Sequence, residues 1–424
     1  MPARAENPPA FSEIVRVFAV VGALSFGGPA GQIALMHREL VERRGWLTEA
    51  AFLNALSFCM LLPGPEATQL ATYAGWRLHG VAGGLVAGLL FVLPGAAVIA
   101  TLAALYASFG ADPLVAALFF GVKAAVVVIV IEALLKVSRR ALNGPAAWAV
   151  AGLAFIAIFF LALPFPLIVA AAGIWGFALG RRGAVEAAPE EPVDLGRVGR
   201  TAVVWVVIWL APLGALTVLT RGGLLWDIFV FFSWLALVTF GGAYAVLAWM
   251  AQVVVADFGW LTTGEMIDAL GLAETTPGPL ILVTEFVAFL AAAKAGGLWF
   301  GALGALVALW ATFAPCFLWI FTGAPFLEWL GAAPRLRAAL AGVSAAVVGV
   351  ILNLSIWFAL HVFFGEVTRE RLGWITLWSP DIASIDWRAL AIALLAAGLL
   401  LWRGWSLVAV LVASAALGLG LTSP

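Results

Sequence analysis

The sequence predicts an all-α polytopic membrane protein built from two homologous halves, each interrupted by a Pro-Gly-Pro break. Three observations carry that expectation. Of 424 residues, 64% are hydrophobic and only 11% are charged, far too little charge for the surface of a soluble chain of this length. Unlike motifs recur in one register. Phe26-Gly27-Gly28 returns as Phe240-Gly241-Gly242, Gly45-Trp46-Leu47-Thr48 as Gly259-Trp260-Leu261-Thr262, and Pro63-Gly64-Pro65 as Pro277-Gly278-Pro279, each displaced by 214 residues. Further on, Gly121-Val122-Lys123-Ala124-Ala125-Val126-Val127 matches Gly342-Val343-Ser344-Ala345-Ala346-Val347-Val348 at a displacement of 221, so one short insertion separates the two registers. Finally, both Pro-Gly-Pro triplets sit inside apolar stretches, where a helix should otherwise run on. Proline removes a donor and clashes with the preceding turn, so each triplet ends one helix and starts another.

Along the chain, residues 11–27 form a first apolar segment. Residues 30–48 mix Gln32, His37, Arg38, Glu39, Glu42, Arg43 and Arg44 with Ile33, Leu35, Met36, Leu40 and Val41, which reads as an amphipathic helix at the membrane interface. The first broken stretch, 49–79, either spans once or enters and returns as a hairpin. Apolar segments follow near 82–107, 114–136, 146–162 and 165–180, punctuated by Asn143-Gly144-Pro145 and Pro164. A polar linker precedes segments near 201–220 and 226–241, the second broken stretch at 263–293, and segments near 297–322, 337–361, 389–402 and 405–421. Trp374, Trp378 and Trp387 suit an aromatic belt. With each broken stretch counted once, about 13 membrane segments result. The division is an N-terminal half at 1–182, a linker at 183–200, and a C-terminal half at 201–424 with one extra leading span.

The orientation of the halves stays open at this level. The 13-segment count inverts the second half and leaves twelve basic residues inside and eight outside. Treating both broken stretches as hairpins makes the halves parallel and moves Arg38, Arg43, Arg44, Lys294, Arg369, Arg371 and Arg388 inside, which fits the positive-inside rule better.

A break at membrane depth is a candidate site. Freed backbone groups are tolerated there only beside protein or a watery cavity, and the second half-helix offers unpaired N–H donors at the positive end of its dipole. Broken helices in both halves point to a transporter site that favours anions. The candidate residues are therefore Pro63, Gly64 and Pro65, with Pro277, Gly278 and Pro279. Gly27, Gly28, Gly241 and Gly242 allow close backbone approach. Glu66, just after the first break, is either a dipole partner or an ion or proton relay, since an ionisable group at membrane depth costs about 2.5–3.5 kcal/mol. Its repeat position holds Leu280, while Glu274 and Glu285 flank the second break. Thr275 and Thr276 either bind an oxyanion or satisfy freed backbone. Lys123, whose repeat position is Ser344, either snorkels, lines an anion path, or pairs with Glu132. Arg77 and His79 read as interfacial anchors. Cys59 and Cys316 read as small core residues. Without a P-loop, a metal-ligand spacing or a nucleophile–base pair, no cofactor or metal is expected and an intramembrane enzyme is a distant alternative. A net charge of −1 suggests no nucleic-acid partner.

The blocks FGGPAGQIALMHREL, RGWL and LLPGPEATQLATYAGW, with TFGGAYAVLAWM, FGWLT and TTPGPLILVTEF in the second half, resemble the signatures of chromate ion transporters. The likeness covers nearly the whole chain. It implies a bacterial inner-membrane protein that exports chromate through two halves of opposite topology. It places Gly27, Gly28, Gln32, Pro63, Gly64 and Pro65 in the first signature and Gly241, Gly242, Pro277, Gly278 and Pro279 in the second. Ala243 and Val246 stand where the first half has Pro29 and Gln32, so the halves are not equivalent at the site. The implied partners are chromate or a similar oxyanion, such as sulfate, and the lipid bilayer. A homodimer is left open.

Overall fold

The computed structural model describes residues 8–26, 28–110, 112–180, 194–220, 222–240, 243–327 and 333–422. The fold is mostly helical, with fifteen α-helices among the described residues. Five helical stretches are long and apolar enough to cross a membrane: Glu66–Phe109, Pro113–Ala141, Leu195–Val218, Leu280–Phe326 and Pro334–Phe363. The chain forms two compact units, and each draws on both ends of the sequence. One comprises Met1–Ala104, Gly180–Ala243 and Thr276–Arg337; the other comprises Leu105–Leu179, Tyr244–Thr275 and Ala338–Pro424.

The first unit holds both proline triplets. It opens with α1 (Phe11–Ala23) and α2 (Gly28–His37), which continues into a π-helical turn at Arg38–Glu42. Helix α3 (Glu49–Leu61) is capped by the Thr48 hydroxyl, which accepts from the Ala51 N–H, and stops before Pro63. Helix α4 begins at Glu66 and runs to Phe109, but His79 and Gly80 leave helical geometry, with Gly80 at φ +64°. The stretch is therefore a pair of helices, and the two fold back on each other. A Cβ on Gly75 would lie 2.2 Å from the Gly83 carbonyl oxygen, so small residues let the backbones meet, as membrane helix pairs require. Helix α12 (Val283–Gly323) repeats this design, with its break at Gly296 and Gly297. It packs on α8 (Leu195–Thr220) and α9 (Leu224–Val238).

The two arms of the first broken stretch leave the tip in one direction. The Gly64 tip lies against Cys316 of α12, whereas Phe58, before the break, reaches Gly323, further along α12. After the break, Thr72 packs with Gly84 and Gly88 against Phe317 and Phe321. That is the arrangement of a hairpin.

The second unit is organised on α5 (Pro113–Ala141), whose start is capped by Asp112. Helices α6 (Pro145–Phe159) and α7 (Phe165–Leu179) follow, then α10 (Ala243–Gln252), which continues as a π turn, and α11 (Thr263–Thr275). Helix α13 (Pro334–Phe363) leads to α14 (Trp387–Ala397) and α15 (Leu407–Thr422). Helices α11, α14 and α15 pack on α5. Contacts here use small residues too: a Cβ on Gly121 would lie 1.8 Å from the Ser414 carbonyl oxygen.

Three expectations are corrected. The chain is not wholly α: β1 (Val367–Leu372) and β2 (Ile375–Pro380) form an antiparallel hairpin in which Leu372 pairs with Ile375. Its signal was present, since Thr368, Arg369, Glu370 and Arg371 are polar and Gly373, at φ +62°, supplies the left-handed turn that a two-residue loop needs. Helix α8 starts at Leu195, inside the stretch read as linker, because Asp194 accepts from the Arg197 N–H and caps it. Lys123 does not pair with Glu132. Glu132 lies 2.7 Å from Lys136 one turn on, and Lys123 lies 3.1 Å from Asp268.

Candidate functional site

The proline triplets of the two halves meet through exchanged contacts within the first unit. The Gly64 N–H donates to the Thr239 carbonyl at 2.9 Å, and the Gly278 N–H donates to the Ser25 carbonyl at 2.9 Å. Ser25 and Thr239 are repeat equivalents, 214 residues apart, so each tip is tied to the other half at the same place. Both residues are buried, and each turns its hydroxyl back onto its own helix, to Val21 and Leu235. Each tip also rests on the long helix of the opposite half: Gly64 on Cys316, which follows Pro315, and Gly278 on Gly95, which follows Pro94. Gly64 and Gly278 adopt φ values of +112° and +92°, which L side chains rarely take. The triplets thus need glycine for the turn, and a proline on each side forces the helix to stop and restart.

A cavity lies among these parts. Pro29 and Gln32 of α2 form one wall; Pro65, Glu66 and Ala67, at the start of α4, form a second. Thr239 closes it, with Pro279, Leu280 and Ile281 beyond the second tip. Its enclosed space is about 20 Å³, on the order of one water. Two helical starts therefore face it, those after Pro65 and after Pro279, each bringing unpaired backbone donors and the positive end of a dipole. Gln32 is buried and donates to the Gly278 carbonyl at 2.6 Å, which fixes the second tip against α2. Gln69 does the same for the first tip, donating to the Pro63 carbonyl at 2.7 Å.

Of the residues singled out from sequence, Gln32, Pro65, Glu66 and Pro279 line the cavity. Pro63, Gly64, Pro277 and Gly278 form the tips. Gly64 is buried and faces Gln69 and Cys316, so it shapes the turn rather than lining the space. Gly28 starts α2 at φ +69°. Thr276 is buried beside the second tip. Gly27, Gly241 and Gly242 lie outside the described residues.

Lys123 and Thr275 belong to the second unit and do not line the cavity. The Thr275 hydroxyl donates to the Leu272 carbonyl of its own helix. Lys123 joins a buried polar set, since Asp268 also accepts from the Tyr106 hydroxyl at 2.7 Å. His79 bonds the Pro9 carbonyl at 2.7 Å, which ties the turn of α4 to the segment before α1. Thr239, Leu280, Ile281 and Asp268 were not singled out from sequence. The repeat itself carries the signal for the first three: Thr239 precedes the second Phe-Gly-Gly, and Leu280 is the equivalent of Glu66.

Beside the cavity's first wall, the π turn after α2 carries a cluster of ion pairs. Glu39 is buried and pairs with Arg43 at 2.6 Å and with Arg44. Burial pushes its carboxyl up, but the Arg44 hydrogen bond and the two arginine charges outweigh this and hold it below the usual range. His37 lies between Glu49, at 2.7 Å, and Glu42, at 3.1 Å. The Glu49 hydrogen bond, opposed by partial burial and helped by both carboxylate charges, raises the imidazole above its ordinary value.

A family model described as "Chromate transporter" matches residues 12–177 and 226–419. A chromate transport protein of Cupriavidus metallidurans is 32% identical over 349 residues, covering 82% of this chain and 82% of that one. A chromate transport protein of Pseudomonas aeruginosa is 30% identical over 411 residues, covering 93% of this chain and 92% of that one. No solved structure matches the chain.

Proposed function

Because the chain belongs to the chromate transporter family, and is thus a multi-pass membrane transport protein rather than an enzyme, we propose that it exports chromate across the bacterial inner membrane. The observation that carries the reading is the pair of helical starts, after Pro65 and after Pro279, that face one cavity. Chromate is a tetrahedral dianion at neutral pH. Backbone donors at helix N-termini hold such an anion without a full cage of charges. Gln32, whose amide fixes the second tip, and Thr239 add polar atoms to the wall. The shorter apolar helices join the five long ones in the membrane, and the first broken stretch enters and returns as a hairpin instead of counting as one crossing.

The geometry supports a mechanism of parting tips. The cavity as it stands admits about one water, so an anion of five heavy atoms enters only when the tips move apart. The exchanged hydrogen bonds at Gly64 and Gly278 are what such a movement stretches. Outward passage of two negative charges from a negative interior is downhill by about 4.6 kcal/mol per 100 mV, so the membrane potential alone suffices to drive export. Glu66 on the wall opposes a bound dianion unless it is protonated, which makes it a relay for an exchanged proton.

The test is initial radiochromate flux into everted vesicles at several imposed pH gradients, with sulfate as competitor. Pro63→Ala with Pro65→Ala lets the helix run on and pairs its donors internally; flux should be lost at normal membrane abundance. Glu66→Gln should still bind chromate but lose dependence on the gradient. Normal flux in the double proline variant would remove the proposed site. Sulfate carried in place of chromate would reassign the substrate.

A further inference from the structure

The first unit holds a second carboxylic acid that the reading above does not use. Glu285, in the first turn of α12, is 2% exposed, and its Oε2 is buried without a hydrogen-bond partner. It stands four residues after Ile281, which lines the cavity. Residues four apart share a helix face, so Glu285 sits one turn behind the cavity wall. Its repeat equivalent is Ala71, so the fold does not need a carboxyl at this position.

No counter-charge stands near it. Helix α8 offers Arg197 and Arg200, and α9 offers Asp227, each at the end of its helix; Lys294, on α12 itself, is more than two turns away. None of them forms an ion pair with Glu285 among the described residues. An ionised carboxylate taken out of water without a partner costs far more than a neutral one, so the group keeps its proton instead. A stably buried, unpaired acid one turn from a wall that must open is a store for a proton. By contrast, Glu274 in the second unit has Tyr244 as a side-chain hydrogen-bond partner and lies near Glu132 and Lys136.

We propose that Glu285 is a proton-binding site of the transporter, protonated while the tips are closed and releasing its proton when their parting admits water. The coupling of this proton to anion movement rests on the function proposed above; the occupancy of the site does not.

The experiment uses the full chain in membrane vesicles. Dicyclohexylcarbodiimide reacts with protonated carboxyls in apolar surroundings, and the adduct is mapped by mass spectrometry. A labelled peptide carrying Glu285 is expected at neutral pH, declining as pH rises, and absent in Glu285→Gln. In parallel, Glu285→Gln should retain radiochromate flux without a pH gradient and lose the extra flux that a gradient drives. No adduct on Glu285 at any pH would overturn the proposal, as would wild-type gradient dependence in Glu285→Gln. If Glu285→Gln fails to insert, labelling of the wild-type chain decides. Absence of chromate flux in the wild type would overturn the proposed function, while the adduct would still decide the proton site.

Discussion

Gly95→Ala is the sharpest test of the exchanged tip contacts. A Cβ at position 95 would lie 2.3 Å from the Pro277 carbonyl oxygen, 2.7 Å from Leu282 Cδ1 and 3.1 Å from Gly278 Cα. The leucine methyl can rotate away, but the other two atoms are backbone of the tip. Restoring an ordinary contact of 3.4 Å moves that backbone by about 1 Å, against a turn held by the Ser25 and Gln32 hydrogen bonds. Overpacking of this kind costs about 1–3 kcal/mol, which is roughly a 5- to 150-fold shift between closed and parted tips. The repeat equivalent supplies the control. Cys316 rests on Gly64 through its Sγ, so Cys316→Ala removes bulk at the first tip instead of adding it and should leave flux within a few-fold of wild type. The assay is initial radiochromate flux per mole of inserted protein, beside the melting temperature of the detergent-solubilised chain. Wild-type flux and melting temperature in Gly95→Ala would show that the second tip does not rest on α4, and the reasoning would fall.

Two further outcomes follow from the ion pairs. Lys123→Ala leaves the buried Asp268 carboxyl with only the Tyr106 hydroxyl. Because Lys123 is half-buried, the cost stays below the figure of about 3–5 kcal/mol for a fully buried pair; membrane abundance should drop, and Lys123→Ala combined with Asp268→Asn should recover it. Recovery of abundance without flux would return Lys123 to the anion path, and no loss in the single variant would show that the pair is dispensable. His37 has a folded-state affinity for protons raised above its unfolded value by Glu49 and Glu42. Its contribution is therefore full below about pH 6.5 and is lost as pH rises through the raised value. The melting-temperature deficit of detergent-solubilised His37→Gln relative to wild type should be larger at acid than at alkaline pH; an equal deficit at both would remove the charge-based account.

The legible part of this molecule was its repetition. Motifs repeated in one register, the proline triplets among them, point to the tips; Glu66 on the cavity wall follows from its place just after the first triplet, and Gln32 only from the resemblance to the chromate transporter signatures. What the sequence withheld has physical reasons. The partner of a tip lies on the opposite half, so the Gly64–Thr239 and Gly278–Ser25 bonds have no local pattern. Lys123 met Asp268 because α11 packs on α5, a tertiary fact that spacing within α5 does not contain; the i,i+4 neighbour rule instead joined Glu132 to Lys136. The β hairpin is hard to read in the sequence because a short polar run between apolar helices reads as loop unless its Gly373 turn is weighed.

The backbone is duplicated but its polar decoration is not, and this difference bears on function. Ser25 and Thr239, the two triplets, and the prolines before Gly95 and Cys316 repeat faithfully, and these are the residues that make the exchanged contacts. Gln32, Glu66 and Gln69 meet Val246, Leu280 and Val283 in the other half, while Glu285 meets Ala71. A symmetric site would present equal polar sets from both tips and would hold its anion with no preferred partner. Here the two walls supplied by the first half carry an amide and a carboxyl, the wall beyond the second tip is apolar, and the buried acid stands behind the apolar one. Exchanging Glu66 and Leu280 in one variant tests whether the scaffold is truly two-fold. If only the scaffold matters for insertion, the exchanged chain should reach normal abundance. If the polar wall must include both Gln32 and a carboxyl, it should lose gradient-dependent flux. Full flux in the exchanged chain would mean that either tip can host the relay, and the asymmetry would carry no functional weight.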